Sequence, residues 1–159
     1  MRLDVTTDGR HAKVQYIQDW VIDSCRRDFT INSLYADFEG NVFDYHDGVK
    51  DIQEGKIKFV GDPKQRIKED YLRILRMYRF QAYYGKSFID PASEAAACCF
   101  IDDLNSISAE RKTSELLKIL SAPKAGLKNT IRDMDNAGVL KLVVPFYKNP
   151  HDLYTPAFT

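Results

Sequence analysis

Three short stretches concentrate the side chains able to do chemistry. In Glu69–Phe80 a carboxylate pair, Glu69 and Asp70, is followed at helical spacing by Arg73, Arg76 and Arg79. On a wheel of 100° per residue, Arg66, Glu69, Asp70, Arg73 and Arg76 fall within about 120° of arc, while Arg79 lies near about 280°, outside it. One reading is a solvated face of ion pairs, Glu69 to Arg73 and Asp70 to Arg73, each worth about 0.2–0.5 kcal/mol. The other is a recognition face, in which a carboxylate accepts an N–H and a guanidinium one turn on donates to a ring nitrogen. Cytosine and adenine both present an exocyclic amine beside a ring-nitrogen acceptor; uracil and guanine present the reverse order. An Asp–Arg pair would therefore admit CTP and ATP and reject UTP and GTP, whose polar groups would be buried unpaired.

The second stretch is Arg26–Leu34, with Arg26, Arg27, Asp28 and Asn32 at a predicted helix-to-strand passage. Guanidinium groups beside a carboxylate and an amide suit a phosphate and a ribose hydroxyl, and equally suit a surface ion-pair cluster. The third is Asp44–Asp51, a turn-rich acidic stretch read as an interdomain turn in which Gly48 supplies an unusual backbone angle. Its carboxylates are metal-ligand types, but an ordinary turn is the simpler reading, with His46 a surface residue.

The elements that must position these groups follow from period and punctuation. A strand is predicted at Ala12–Ile17, a helix at Trp20–Arg27, and a hairpin of Leu34–Phe38 with Asn41–Asp44 around Glu39-Gly40. Lys56–Val60 alternates as a strand does. After Gly61-Asp62-Pro63 the period becomes helical, predicting one helix over Arg66–Tyr84 that ends at Gly85. Further helices are expected at Pro91–Asp102, at Ala109–Ser121 with Ser108 as N-cap, and at Ala125–Ala137 closed by Gly138. The tail from Pro145 carries no period and reads as a loose end.

The chain has 159 residues, 44% of them hydrophobic and 29% charged, with 23 basic residues balancing 23 acidic ones. That balance conceals blocks. Residues 64–86 hold seven basic residues against Glu69 and Asp70, whereas 87–110 hold five acids and no base. The local positive segment coincides with the Glu69–Phe80 stretch and suits a polyanion. No apolar run approaches the ~20 residues needed to span a bilayer, so a cytoplasmic protein without membrane partners is expected. Cys25, Cys98 and Cys99 form no disulfide or zinc pattern and are expected to be buried thiols.

Taken together, the three stretches resemble the class II tRNA nucleotidyltransferase (CCA-adding enzyme) and bacterial poly(A) polymerase family. Arg26–Leu34 is similar to its RRDFTxNxL motif, Asp44–Asp51 to the DxxGGxxDL turn and Glu69–Phe80 to EDxxRxLRxxRF, in the same order and spacing. Residues 1–14 resemble the stretch after the catalytic strand pair, and Ser108–Leu120 resembles the SxERxxxELxKLL helix. The resemblance implies an α+β fold: the C-terminal part of a polymerase-β-like head over 1–55, an all-helical neck over 56–107 and the start of a helical body over 108–159. It implies that Arg27 and Asp28 read the ribose with Asn32 in support. Asp70 and Arg73 would form an amino-acid template for the base. Arg76 and Arg79 would meet the triphosphate or fix the template. ATP, CTP and a tRNA or other RNA 3′ end are the implied partners, and Mg²⁺ the implied cofactor.

Three departures stand out. Asp47 replaces the first glycine of the turn, which puts the hinge geometry in question. Tyr71 stands where many members carry proline, which predicts a straighter helix. The family's Gly-Gly-x-x-Arg-Asp loop and strand-borne Asp-x-Asp, whose carboxylates hold two metal ions, are absent from these 159 residues; the one Asp-x-Asp is Asp133-Met134-Asp135, in a predicted helix. The expectation is thus an internal portion of a nucleotidyltransferase with no catalytic or metal residues of its own. It would be inactive unless a separate polypeptide supplies them, and its strand edges would favour self-association. The alternative is a non-catalytic nucleotide- or RNA-binding module, or the remnant of a split or decayed gene.

Overall fold

The computed structural model describes residues 2–8, 11–16, 20–84 and 88–144, and over these the fold is α+β with helices predominating. Strands β1 (Arg2–Asp8) and β2 (His11–Tyr16) form an antiparallel pair. Helix α1 (Trp20–Ser24) leads into a 3-10 turn at Thr30–Asn32 and a hairpin of β3 (Tyr35–Ala36) and β4 (Val42–Phe43). Helix α2 (Gly48–Glu54) and β5 (Lys56–Ile57) follow, then α3 (Pro63–Glu69) and α4 (Arg73–Tyr84). Strand β6 (Phe88–Ile89) returns to pair in parallel with β5. The chain finishes as α5 (Pro91–Cys98), a 3-10 turn at Asp102–Ser106, α6 (Ala109–Leu120), α7 (Lys124–Asn136) and α8 (Val139–Val143). The tail from Pro145 and the glycine at 85 lie outside the described residues.

The core begins where the Arg26–Leu34 loop meets β5. Thr30 N–H donates to Lys58 O at 3.0 Å and Val60 N–H to Asp28 O at 2.9 Å. These two bonds flank a bridge between Phe29 and Phe59, both fully buried. Their ring centroids lie 4.7 Å apart, and Phe80 of α4 meets Phe29 edge-on at 5.1 Å. One hydrophobic cluster continues from Phe29 through Ile67, Leu75, Met77, Leu104 and Ile119 to Val143.

Four expectations need correction. The helix expected over Arg66–Tyr84 is two helices, because Asp70 is extended (φ −161°, ψ 107°). Aspartate competes for backbone donors inside a helix. Asp70 Oδ1 accepts Leu72 N–H at 3.1 Å and its carbonyl accepts Arg73 N–H at 3.0 Å, so it ends one helix and caps the next without a proline. Helix α5 stops at Cys98, short of Asp102. The three thiols are exposed, since α5 turns Ala96 and Ala97 inward and leaves Cys98 and Cys99 outside. The unusual angle in the acidic turn belongs to Asp47 (φ 60°, ψ 29°), not to Gly48. Aspartate tolerates the left-handed region better than most residues, so the turn keeps its shape. Gly48 is required for another reason: a Cβ there would stand 2.2 Å from Thr30 O.

Candidate functional site

The break at Asp70 decides what the template candidates can reach. Asp70 Oδ2 accepts from Arg111 Nη2 of α6 at 2.9 Å. Arg73 Nη1 donates to Glu69 Oε2 at 2.6 Å and to Arg66 O at 2.7 Å, and Arg66 holds the same Glu69 oxygen at 3.0 Å. The expected Glu69–Arg73 pair forms, whereas Asp70 pairs across the fold with Arg111 rather than with Arg73.

The Arg26–Leu34 loop contributes a second cluster. Asp28 is only 5% exposed. Asn32 Nδ2 donates to its Oδ1 at 2.9 Å, while Asn32 Oδ1 accepts Phe29 N–H at 3.2 Å, so the amide fixes both the carboxylate and the loop. Arg76 Nη2 of α4 lies 2.8 Å from Asp28 Oδ2. This contact is electrostatic and not aligned as a hydrogen bond; Asp28 Oδ2 and Arg76 Nε are both buried without a hydrogen-bond partner. Asp28, Asn32 and Arg76 therefore meet, although they come from motifs some forty residues apart in the chain.

Arg27 and Arg79 face other partners. Arg27 Nη2 lies 2.8 Å from Asp23 Oδ2, its guanidinium carbon 5.8 Å from the Tyr35 ring centroid, and the Tyr35 hydroxyl donates to the same Asp23 oxygen. Burial pushes the Asp23 carboxyl up, but the hydrogen bonds from Tyr35 and Arg27 outweigh it and hold the group below the ordinary carboxylate range. Arg79 Nη1 donates to both oxygens of buried Glu115, at 3.1 and 2.9 Å, with Lys118 Nζ on the same carboxylate at 2.8 Å. Arg111 and Glu115, which anchor α6 to this region, both lie in the Ser108–Leu120 stretch singled out in the sequence, but their partners lie 41 and 36 residues away and are not given by it.

The acidic turn is internally satisfied. Asp44 accepts the N–H groups of His46 (3.1 Å), Gly48 (2.9 Å) and Val49 (2.9 Å), and Asp51 accepts the buried Thr30 hydroxyl at 2.7 Å. His46 Nε2 lies 2.9 Å from Ser24 Oγ. Among the described residues no three His, Cys, Asp or Glu side chains gather as a metal cluster. The Asp133–Asp135 pair lies on α7, where Asp133 accepts from Gln81 at 2.7 Å. The described residues thus do not fit a two-metal phosphoryl-transfer site. Among the described residues no helix is long and apolar enough to cross a membrane.

Comparison with known proteins gives this arrangement a context. Residues 1–58 match the poly(A) polymerase head domain family, and 88–149 match the family described as a probable RNA and SrmB-binding site of polymerase A. The human mitochondrial CCA tRNA nucleotidyltransferase 1 is 45% identical over 148 residues, covering 89% of this chain and 33% of that protein. The crystal structure of the Bacillus stearothermophilus CCA-adding enzyme in complex with CTP superposes with a TM-score of 0.73 at 32% identity, over 79% of this chain and 31% of that one. The Thermotoga maritima CCA-adding enzyme complexed with tRNA gives 0.70 at 28% identity, over 82% of this chain and 32% of that one. The chain thus spans about a third of the length of the relatives it matches. With both family matches, these relatives and the shared fold in agreement, the chain belongs to the tRNA nucleotidyltransferase and poly(A) polymerase family.

Proposed function

We propose that this chain is the nucleotide-selecting part of a template-independent RNA nucleotidyltransferase that transfers CMP and AMP from CTP and ATP to a tRNA 3′ end. Asp70 and Arg73 read the base edge. Arg27, Asp28 and Asn32 form the ribose side, Arg76 faces the triphosphate, and Arg79 fixes the template helix through Glu115. The corresponding division of the chain is a head portion over 1–55, a neck over 56–107 and the start of a body over 108–159.

The observation that carries this reading is the junction of Asp28 and Arg76. It holds a buried carboxylate oxygen with no aligned donor beside a buried guanidinium N–H with no acceptor. A ribose hydroxyl donates where Asp28 Oδ2 lacks a donor, and a phosphate oxygen accepts where Arg76 Nε lacks an acceptor. A small opening of the junction would present both to a nucleotide.

In this proposal the metal-holding carboxylates lie outside these 159 residues, and Mg²⁺ acts only in the complete enzyme. The test is incorporation of labelled CTP and ATP into tRNA lacking its CCA end. The 159-residue chain with Mg²⁺ should incorporate nothing, and adding a polypeptide that carries a Gly-Gly-x-x-Arg-Asp loop and Asp-x-Asp should restore incorporation. Activity of the chain alone would overturn the division of labour. Persistent inactivity, with nucleotide binding retained, would favour a non-catalytic binding module.

A further inference from the structure

Three elements converge on Arg27. Trp20 of α1 stacks on Tyr35 of β3, with ring centroids 5.5 Å apart and planes 9° apart, and meets Phe43 of β4 edge-on at 4.9 Å. Tyr35 and Phe43 are register partners, so the hairpin delivers both rings to the same indole. The Arg27 guanidinium lies over the Tyr35 ring and donates through Nη2 to Asp23 Oδ2 at 2.8 Å, the oxygen that also receives the Tyr35 hydroxyl. Asp23 thus holds the guanidinium by one edge, and Tyr35 holds it by one face. The backbone between them is closed as well, with Asp23 O accepting Arg26 N–H at 2.9 Å and Ser24 O accepting Arg27 N–H at 3.2 Å. The support is shielded and the cation is not: the Asp23 side chain is 14% exposed and that of Arg27 48%. An ion pair at i,i+4 spacing with one partner open to water adds little to stability, which leaves little reason for this seat in the fold itself.

From this geometry we infer that Asp23 and Tyr35 are positioning residues for sugar selection, aiming Arg27 at the 2′-hydroxyl of the incoming ribonucleotide. The inference rests on the reading of Arg27 and Asp28 as the ribose side. A 2′-hydroxyl both donates and accepts, so a carboxylate can receive its O–H while a guanidinium donates to its oxygen. The guanidinium is a planar fork of five donors; with one edge on Asp23 and one face on Tyr35, its opposite edge keeps a fixed direction. Released from this seat, Arg27 samples many rotamers and has to be ordered by the ligand, which costs affinity only for nucleotides that use it. A 2′-deoxynucleotide offers no oxygen at that position and gains nothing from the aim.

The test measures displacement of a fluorescent CTP analogue from the full 159-residue chain by CTP, 2′-deoxy-CTP and UTP. Asp23→Ala should weaken CTP about tenfold and 2′-deoxy-CTP hardly at all, while the ratio of CTP to UTP affinity stays as in the parent. Tyr35→Phe, which keeps the ring beneath the guanidinium and loses only the hold on Asp23, should fall between Asp23→Ala and the parent. A loss shared equally by CTP and 2′-deoxy-CTP would mean that the pair merely supports the fold, and the inference would be wrong. If Arg27→Ala removes the preference for CTP over 2′-deoxy-CTP while Asp23→Ala keeps it, the inference fails and the ribose reading stands. If the unaltered chain shows no such preference, or Arg27→Ala keeps it, both fail.

Discussion

Arg76 reaches from helix α4 to within 2.8 Å of Asp28, joining the RRDFT loop to the helix that follows the break at Asp70. The contact is the physical link between two sequence motifs, and Asn32 completes it from the loop side at 2.9 Å. Removing the Asp28 carboxylate leaves the Asn32 amide without its acceptor and the Arg76 guanidinium without its counter-charge.

Asp28→Ala should therefore cost about 2 kcal/mol of stability; Asn32→Ala, which removes a donor to Asp28 and the acceptor of Phe29 N–H but leaves the ion pair, should cost about 1 kcal/mol. Urea unfolding of the two variants and the parent checks the order. Equal losses would show that Arg76 finds solvent as easily as it finds Asp28.

Arg79 and Glu115 should behave as a coupled pair. Arg79→Ala leaves a carboxylate that is 5% exposed with only the solvent-facing Lys118, at a cost of about 3 kcal/mol. The double change Arg79→Met with Glu115→Leu should recover most of that loss, because it buries apolar groups of similar volume. A double-mutant cycle in urea gives the coupling, and a double variant no more stable than Arg79→Ala would mean that the helices need the charges themselves.

The acidic turn separates two kinds of backbone constraint. Gly48→Ala drives a Cβ against Thr30 O and should destabilise by about 2–3 kcal/mol. At the left-handed Asp47, a change to Gly should be nearly neutral, whereas Asp47→Val should cost about 1–2 kcal/mol. Thermal melts of the three variants rank them.

Much of this arrangement is legible in the order of residues alone. Ser108 and Gly138 mark the start of α6 and the end of α7, where the chain places an N-cap hydroxyl and a left-handed glycine (φ 77°). The three motif stretches also contain every side chain proposed to meet the nucleotide. What local spacing does not carry is long-range or competitive. A helical wheel assumes an unbroken helix, and Asp70 breaks it by capping with its own side chain. The inward turn of Ala96 and Ala97 in α5 leaves Cys98 and Cys99 facing out, a matter of packing that composition does not express. The partner of Asp70 is 41 residues away, beyond any local spacing rule.

Acid should loosen the Asp44–Asp51 turn. Burial pushes the Asp44 carboxyl up, but the N–H groups of Val49, Gly48 and His46 more than offset this and hold it below the usual carboxylate range. A group depressed in the folded state stabilises fully above its unfolded value, and the contribution is lost as pH falls through the folded one. Asp44→Asn should therefore lower the urea midpoint at pH 7, and the gap to the parent should narrow as the pH is taken below about 4. A gap independent of pH would mean that the amide fills the turn as well as the carboxylate.

The two-residue pairing of β5 with β6 has a consequence for how this family can vary. Phe88 N–H donates to Gly55 O at 2.8 Å and Asp90 N–H to Ile57 O at 2.9 Å, so the chain leaves and re-enters through one narrow gateway. Everything between, including α3, the break and α4, is an excursion whose two ends are already neighbours. Its ends meet at one seam, while its sides pack on the Arg26–Leu34 loop through Phe80 against Phe29 and Arg76 against Asp28, on α6 through Arg111 and Glu115, and on α7 through Gln81 and Asp133. A replacement of the segment as a unit therefore has to carry matching side chains at each of these contacts, while its two ends need no rearrangement.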